Sequence, residues 1–169
     1  PTPADPPSNH LEMASWPVGR GWTLLYTSTA TFTGESYRLY LPRLSALEFV
    51  PSAAGSSIYV PGGSVSPRDR LWADSATCLL THLAETQGEQ LVFEPDPGVS
   101  GRYRLKYHYS TRLQPPTTVN YDAGTGRIAT VAAADGTAFS FTYDSAGHIT
   151  LIQDPFGRSL VLAYSGNYL

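Results

Sequence analysis

From Trp22 onward, short segments of the chain alternate apolar and polar residues, so that Tyr37, Leu39 and Leu41 fall on one face of an extended segment. Clusters of Gly, Pro and Ser interrupt the alternation every few residues. The pattern predicts strands around residues 22–33, 35–41, 45–50, 57–60, 76–84, 89–94 and 102–109, most of them paired as hairpins. Residues 76–94 admit two readings, because Cys78 to Glu85 could also form a turn or two of helix. A hairpin around Gly88 accounts for that half and for the β-like Gln90-Leu91-Val92-Phe93 with a single turn, and it is the preferred reading.

The fold class expected is all-β: antiparallel β-hairpins stacked into a twisted repeat strip. Pro1-Thr2-Pro3-Ala4-Asp5-Pro6-Pro7 removes backbone donors and offers little to bury, so residues 1–15 read as an extended arm or linker, with order beginning near Trp16. Residues 16–118 read as an N-terminal β region and 119–169 as a repeat region. The seam falls in 110–118, which ends in Pro115-Pro116-Thr117-Thr118.

The repeat is the strongest internal signal. Gly126 to Asp144 aligns with Gly147 to Ser165 at a constant offset of 21 residues. Ile128 then falls on Ile149, Val131 on Ile152, Gly136 on Gly157, Phe139 on Leu160, Phe141 on Leu162 and Tyr143 on Tyr164. Asn120-Tyr121-Asp122 closes an earlier unit, one residue longer through its link to Gly126. Within a unit, Asp135-Gly136 is a hairpin turn signal, because Gly accepts positive φ and Asp bonds the nearby backbone. Asp154-Pro155-Phe156-Gly157 should do the same job as a type I turn. Period-two geometry puts Phe139, Phe141 and Tyr143 on one face, and Leu160, Leu162 and Tyr164 likewise. Phe141 and Tyr143 are expected to be buried, and Gly136 and Gly157 to occupy equivalent turns. Two and a half units cannot close a sheet on themselves, so a bare edge is expected near the C-terminus, open to self-association.

Composition supports the β reading. Only 15% of the 169 residues are charged, while fifteen glycines and fourteen prolines supply turns. Thr, Ser, Tyr and Val occupy the places that a helix would give to charged straight-chain residues, so very little helix is expected. A net charge of −3, with Lys106 the single lysine, leaves no electrostatic footprint for nucleic acid. No stretch approaches the roughly 20 apolar residues of a membrane span. The N-terminal residues lack the basic and apolar regions of a signal peptide. Cys78 is the one cysteine, which excludes an internal disulfide, and its apolar neighbours Leu79 and Leu80 predict a small buried residue.

The chain offers little chemistry, and no catalytic, cofactor-binding or metal-binding residue is assigned. It lacks a Gly-x-Ser-x-Gly elbow, a His-Glu-x-x-His pair and paired cysteines. Gly19-Arg20-Gly21 is followed by an aromatic residue and reads as a tight turn rather than a phosphate loop. His10, His82, His108 and His148 lie far apart without ligand spacing and read as surface or hydrogen-bonded core residues. Glu94, Asp96, Asp122, Asp144 and Asp154 all neighbour turn residues, so turn stabilisation is the preferred account over a glycosidase pair. The reading is of a non-enzyme. Aromatic residues outside the stripe, such as Trp22, Trp72 and Tyr103, leave open a second reading as a glycan-binding or adhesion module. A coplanar exposed row would favour it and a buried stripe would oppose it.

The repeat residues resemble the YD repeats of Rhs proteins, whose units run Tyr-Asp-x-x-Gly-Arg-Leu, then Asp-x-x-Gly, then a strand to the next Tyr. The resemblance covers about residues 119–166 through Tyr121, Asp122, Gly126, Arg127, Asp135, Gly136, Tyr143, Asp144, Gly147, Asp154, Gly157 and Tyr164. Upstream, Trp16-Pro17-Val18-Gly19-Arg20-Gly21-Trp22 is similar to the Gly-x-Gly-Trp segment that opens Rhs regions. His148 stands where Arg is usual, and Tyr164-Ser165 replaces a Tyr-Asp pair, both as ordinary repeat drift. The resemblance implies a segment of a β-sheet shell, secreted or at the cell surface. Its partners would be the rest of the shell and an enclosed polypeptide such as a toxin of the polymorphic-toxin or toxin-complex type. The Asp-Pro-x-Gly-Leu self-cleavage signature is absent, so the segment implied is wall, without plug or cargo.

Overall fold

The computed structural model describes residues 25–41, 46–63, 68–84, 88–111 and 114–165. The expected arm at 1–15, the start of order near Trp16, and the Gly-x-Gly-Trp segment with Trp22 lie outside the described residues. Among the described residues the only helix is a 3-10 turn, Leu25–Thr27, and everything else regular is strand. The strands are β1 (Thr29–Phe32), β2 (Tyr37–Tyr40), β3 (Leu47–Pro51), β4 (Ile58–Pro61), β5 (Arg70–Asp74), β6 (Leu79–Ala84) and β7 (Glu89–Pro95). They continue as β8 (Arg102–Tyr109), β9 (Thr117–Tyr121), β10 (Ile128–Ala132), β11 (Ala138–Tyr143), β12 (Ile149–Gln153) and β13 (Ser159–Val161). The expected strand at 22–33 is therefore shorter, beginning at Thr29 after the 3-10 turn. β5 was not foreseen. The hairpin around Gly88 is present, formed by β6 and β7.

All thirteen strands form one antiparallel sheet in sequence order, but β1 also pairs with β8, through Thr29↔Arg104, Ala30↔Tyr103 and Thr31↔Arg102. The first eight strands thus close into a barrel, which the expectation of an open strip of hairpins did not include. Eight strands enclose a lumen that side chains can just fill. Period-two geometry fills it: Ala30, Leu39, Phe49, Leu71, Leu80, Leu91, Phe93 and Leu105 point inward and are fully buried or nearly so. Their registers agree, with Ala30 opposite Leu39, Leu80 opposite Phe93, and Phe93 opposite Leu105. The outer face carries charge pairs, among them Arg38 directly opposite Glu48.

β8 is where barrel becomes strip. One edge pairs with β7 throughout; the other is shared, its first half taken by β1 and Tyr107 and His108 taken by Thr118 and Thr117 of β9. β9–β13 extend from there. The inward face of the barrel continues into the strip as one apolar face: Val119 lies opposite Val131, Val131 opposite Phe139, Phe141 opposite Ile152, and Ile152 opposite Leu160. Val119, Ile128 and Val131 join the barrel residues in a single core.

Burial along that face is uneven: Val119 at 3%, Val131 at 5% and Ile149 at 0% exposure are buried, whereas Phe139 at 48% and Leu160 at 55% are exposed. Phe141 and Tyr143 are half-buried rather than buried, and Phe139 is exposed. Ile149 is buried although β12 lies far from the barrel, so distance from the barrel alone does not set burial; the exposed Phe139 and Leu160 lie beside the turns at Gly136 and Gly157. Cys78 corrects a further expectation. It is exposed at the β5–β6 turn with φ +56°, not buried. The tight turn that lets Asp74 accept bonds from the Ala76 amide and the Thr77 hydroxyl carries Cys78 out of the apolar run.

Candidate functional site: a tyrosine rung in each repeat

Each unit of the strip is tied to the preceding one by the same side-chain bond. The hydroxyl of Tyr121 donates to the carbonyl of Leu105 at 2.7 Å, that of Tyr143 to Ile128 at 2.8 Å, and that of Tyr164 to Ile149 at 2.8 Å. A sheet bulge follows each acceptor. Opposite Phe93 and Val92 stand Leu105 and Tyr107, leaving Lys106 extra; opposite Tyr121 and Asn120 stand Ile128 and Thr130, leaving Ala129; opposite Tyr143 and Thr142 stand Ile149 and Leu151, leaving Thr150. A bulge takes backbone groups out of the ladder. The tyrosine hydroxyl supplies the donor that the acceptor carbonyl then needs.

The residue before each acceptor covers the tyrosine ring. The Arg104 guanidinium sits 4.1 Å from the centre of the Tyr121 ring, and that of Arg127 sits 5.4 Å from the Tyr143 ring. In the third unit the His148 ring stacks on Tyr164 at 4.7 Å with 22° between planes. The histidine that replaces the usual arginine keeps its place on the ring. Its Nδ1 also lies 3.2 Å from the Asp144 carboxylate. Arg104 and Leu105 were not foreseen as repeat positions. Their signal was faint, because Gly101 stands three residues before Arg104 whereas Gly126 and Gly147 directly precede Arg127 and His148.

Burial holds the phenols in their donor form. Tyr121 is raised well above the usual tyrosine range, with Arg104 opposing the shift, and Tyr143 is pushed up to about 12 with Arg127 opposing. Tyr164, more open, shifts in the same direction for the same cause.

The aspartates and glycines of the motif build the turns. Asp144 accepts from the His148 amide at 2.9 Å, and Asp122 accepts from the amide and hydroxyl of Thr125. Gly147 lies against Arg127, whose Nη2 would sit 2.9 Å from a Cβ at that position. Gly136 and Gly157 occupy equivalent turns. Gly136 N–H donates to Ala133 and Ala133 N–H to Thr137, while Gly157 N–H donates to Asp154 and Asp154 N–H to Arg158. With φ +86° and +82°, both are type I turns closed by a left-handed glycine. The two aspartates are not equivalent, however. Asp154 opens its turn, whereas Asp135 is third in its own and caps Thr137, which makes Phe156 its counterpart.

Of the other residues weighed for chemistry, Glu94 lies on β7 rather than in a turn. It receives Arg104 at 2.8 Å and Lys106 at 3.0 Å, and these partners, outweighing its burial, lower its pKa. Asp96 caps Gly98 and pairs with Arg102 at 2.7 Å. His82 is buried in the barrel with its Nε2 3.6 Å from Asp69, and His108 pairs with Glu89 at 2.7 Å. Burial depresses the His82 pKa, with Asp69 and Glu89 opposing. Among the described residues no group of three or more His, Cys, Asp or Glu side chains could hold a metal ion, and no helix is long and apolar enough to cross a membrane. Trp72 is half-buried, and Tyr103 and Tyr59 meet Tyr37 edge to face at 68° and 88°.

A segment of strand pairs locked unit to unit by the same tyrosine bond is a structural β-repeat. The family model described as RHS Repeat matches residues 121–159, so this part of the chain carries Rhs/YD repeats. No curated protein matches the chain.

Proposed function

We propose that this chain is a wall segment of an Rhs/YD-repeat shell, secreted or displayed at the cell surface, that encloses or presents another polypeptide such as a secreted toxin. Residues 1–15 would be a leading arm, 16–118 the β region that starts the wall, and 119–169 its first repeats. The observation that carries this reading is the rung: three units repeat one hydroxyl–carbonyl bond, one bulge and one covered ring, which is a device for adding strands in fixed register. None of its members needs to turn over a substrate. The apolar face that continues from the barrel lumen exposes Phe139 and Leu160, and they would offer an enclosed chain an apolar surface.

Limited proteolysis of the parent protein tests it. Replacing Tyr121, Tyr143 and Tyr164 together by Phe should loosen the register and open a protected internal polypeptide to cleavage, while circular dichroism still reports β structure. An internal polypeptide cleaved equally fast in parent and variant would remove the wall reading.

A further inference from the structure

Two polar side chains sit inside the barrel without the bonds they need. The lumen is lined mainly by apolar residues, yet His82 on β6 is 2% exposed and Asp69, directly before β5, is 7% exposed. Nδ1 and Nε2 of His82 and Oδ1 of Asp69 are buried with no hydrogen-bond partner. His82 Nε2 lies 3.6 Å from the Asp69 carboxylate, close enough to feel its charge but too far for a hydrogen bond. The neighbours of His82 in register are Leu71 on β5 and Leu91 on β7, and the Phe49 ring of β3 meets the imidazole edge to face at 5.4 Å.

The charged groups facing the imidazole are Asp69, from the segment before β5, and Glu89, from the start of β7. Glu89 is already taken by His108 of β8, at 2.7 Å. A proton on His82 would therefore create a cation with one imperfect counter-charge and two N–H donors with no acceptor in reach. Attraction between buried charges offsets their loss of water only where the geometry is good and the remaining donors are bonded. Neither condition holds here, so desolvation wins, and burial keeps the imidazole below the ordinary histidine range against the pull of the two carboxylates. The neutral ring packs as a flat, largely apolar group.

We infer that His82 is an acid-sensitive latch at this end of the barrel: neutral, it packs among Leu71, Leu91 and Phe49, and protonated, it moves to solvent and loosens the end of β5, β6 and β7 that Asp69 and Glu89 mark. The opened ring takes its proton at about pH 6.5 and the closed ring only at lower pH. The latch is therefore fully closed above about pH 6.5 and gives way as pH falls through the closed-state value. The inference goes beyond the wall reading, since it concerns the barrel alone and needs no enclosed polypeptide.

Hydrogen exchange of the 169-residue chain, read by mass spectrometry at about pH 7.5 and about pH 5.5 and corrected for the pH dependence of free-amide exchange, tests it. Protection over β5–β7, residues 70–95, should fall several-fold, up to about tenfold for one pH unit below the opened ring's value, while β10–β12, residues 128–153, should keep theirs. His82→Gln, polar but unable to titrate, should abolish the loss. Asp69→Asn removes the nearer counter-charge and should keep at least all of it. The wild-type His82 ring resonance, followed by NMR, needs no variant and should titrate below about pH 6.5. Equal protection of 70–95 at both pH values, a loss shared by 128–153, a loss that survives in His82→Gln, or a His82 resonance titrating at or above about pH 6.5 would each overturn the inference.

Discussion

The hydroxyl of Tyr143 lies 2.8 Å from the carbonyl of Ile128, and this bond joins the end of one repeat to the beginning of the strand pair that carries it. Tyr143→Phe keeps the ring and its contact with Arg127 but leaves the carbonyl without that donor. The expected cost is about 1 kcal/mol, in the ordinary range for an intramolecular hydrogen bond. The more buried Tyr121→Phe should cost at least as much. Denaturant melts that do not move for either variant would show that the rung carries no stability.

Burial along the apolar face sets a gradient of truncation costs. Phe93→Ala, inside the barrel and fully buried, should cost about 3–5 kcal/mol. Half-buried Phe141→Ala should cost about 1–3 kcal/mol, and exposed Phe139→Ala less than about 1 kcal/mol. A series of thermal melts checks the order; equal costs at Phe93 and Phe139 would contradict the placement of the core.

The turn carboxylates set an acid limit. Asp122, held by the Thr125 side chain and amide, Asp135, held by the Thr137 side chain and amide, and Asp144, held by the His148 amide and then its side chain, all have pKa values below the usual aspartate range. Because the folded pKa is the lower one, their contribution is complete above the unfolded value and is lost as pH falls through the folded value. The repeat strip should therefore hold its melting temperature down to about pH 4 and lose it below. Asp144→Asn should flatten that loss, and an acid limb unchanged by it would count against the assignment.

Cys78 is strained and open at once. A non-glycine residue at φ +56° carries a backbone cost, so Cys78→Gly should raise stability by about 0.5–1 kcal/mol. The native protein should also react with a thiol reagent to one equivalent without unfolding, since the side chain is exposed. Labelling that requires denaturant would place the residue elsewhere.

Most strands, and the repeat, were legible in the chain because their causes are local. Alternation at Tyr37 and Leu39 makes a strand wherever it packs, and the 21-residue offset from Gly136 to Gly157 brings the same left-handed turn back. β5 was not legible, since Arg70 and Asp74 bound it with charge and only Leu71 and Ala73 turn inward. Barrel closure had no local sign at all. Thr29–Thr31 finds Arg102–Arg104 across the length of six intervening strands, and that pairing forms because the accumulated twist of those strands brings the two edges together. Closure in turn decided what period two could not, making Leu105 buried core and the acceptor of the first rung; Phe139, identical in pattern to its neighbours but beside the Gly136 turn, was left on the surface. The sequence by itself determined which residues share a face; which of them are core was decided by tertiary packing, which buries Leu105 in the barrel and Ile149 in the strip but leaves Phe139 exposed, because alternation fixes the side a residue takes and not what covers it.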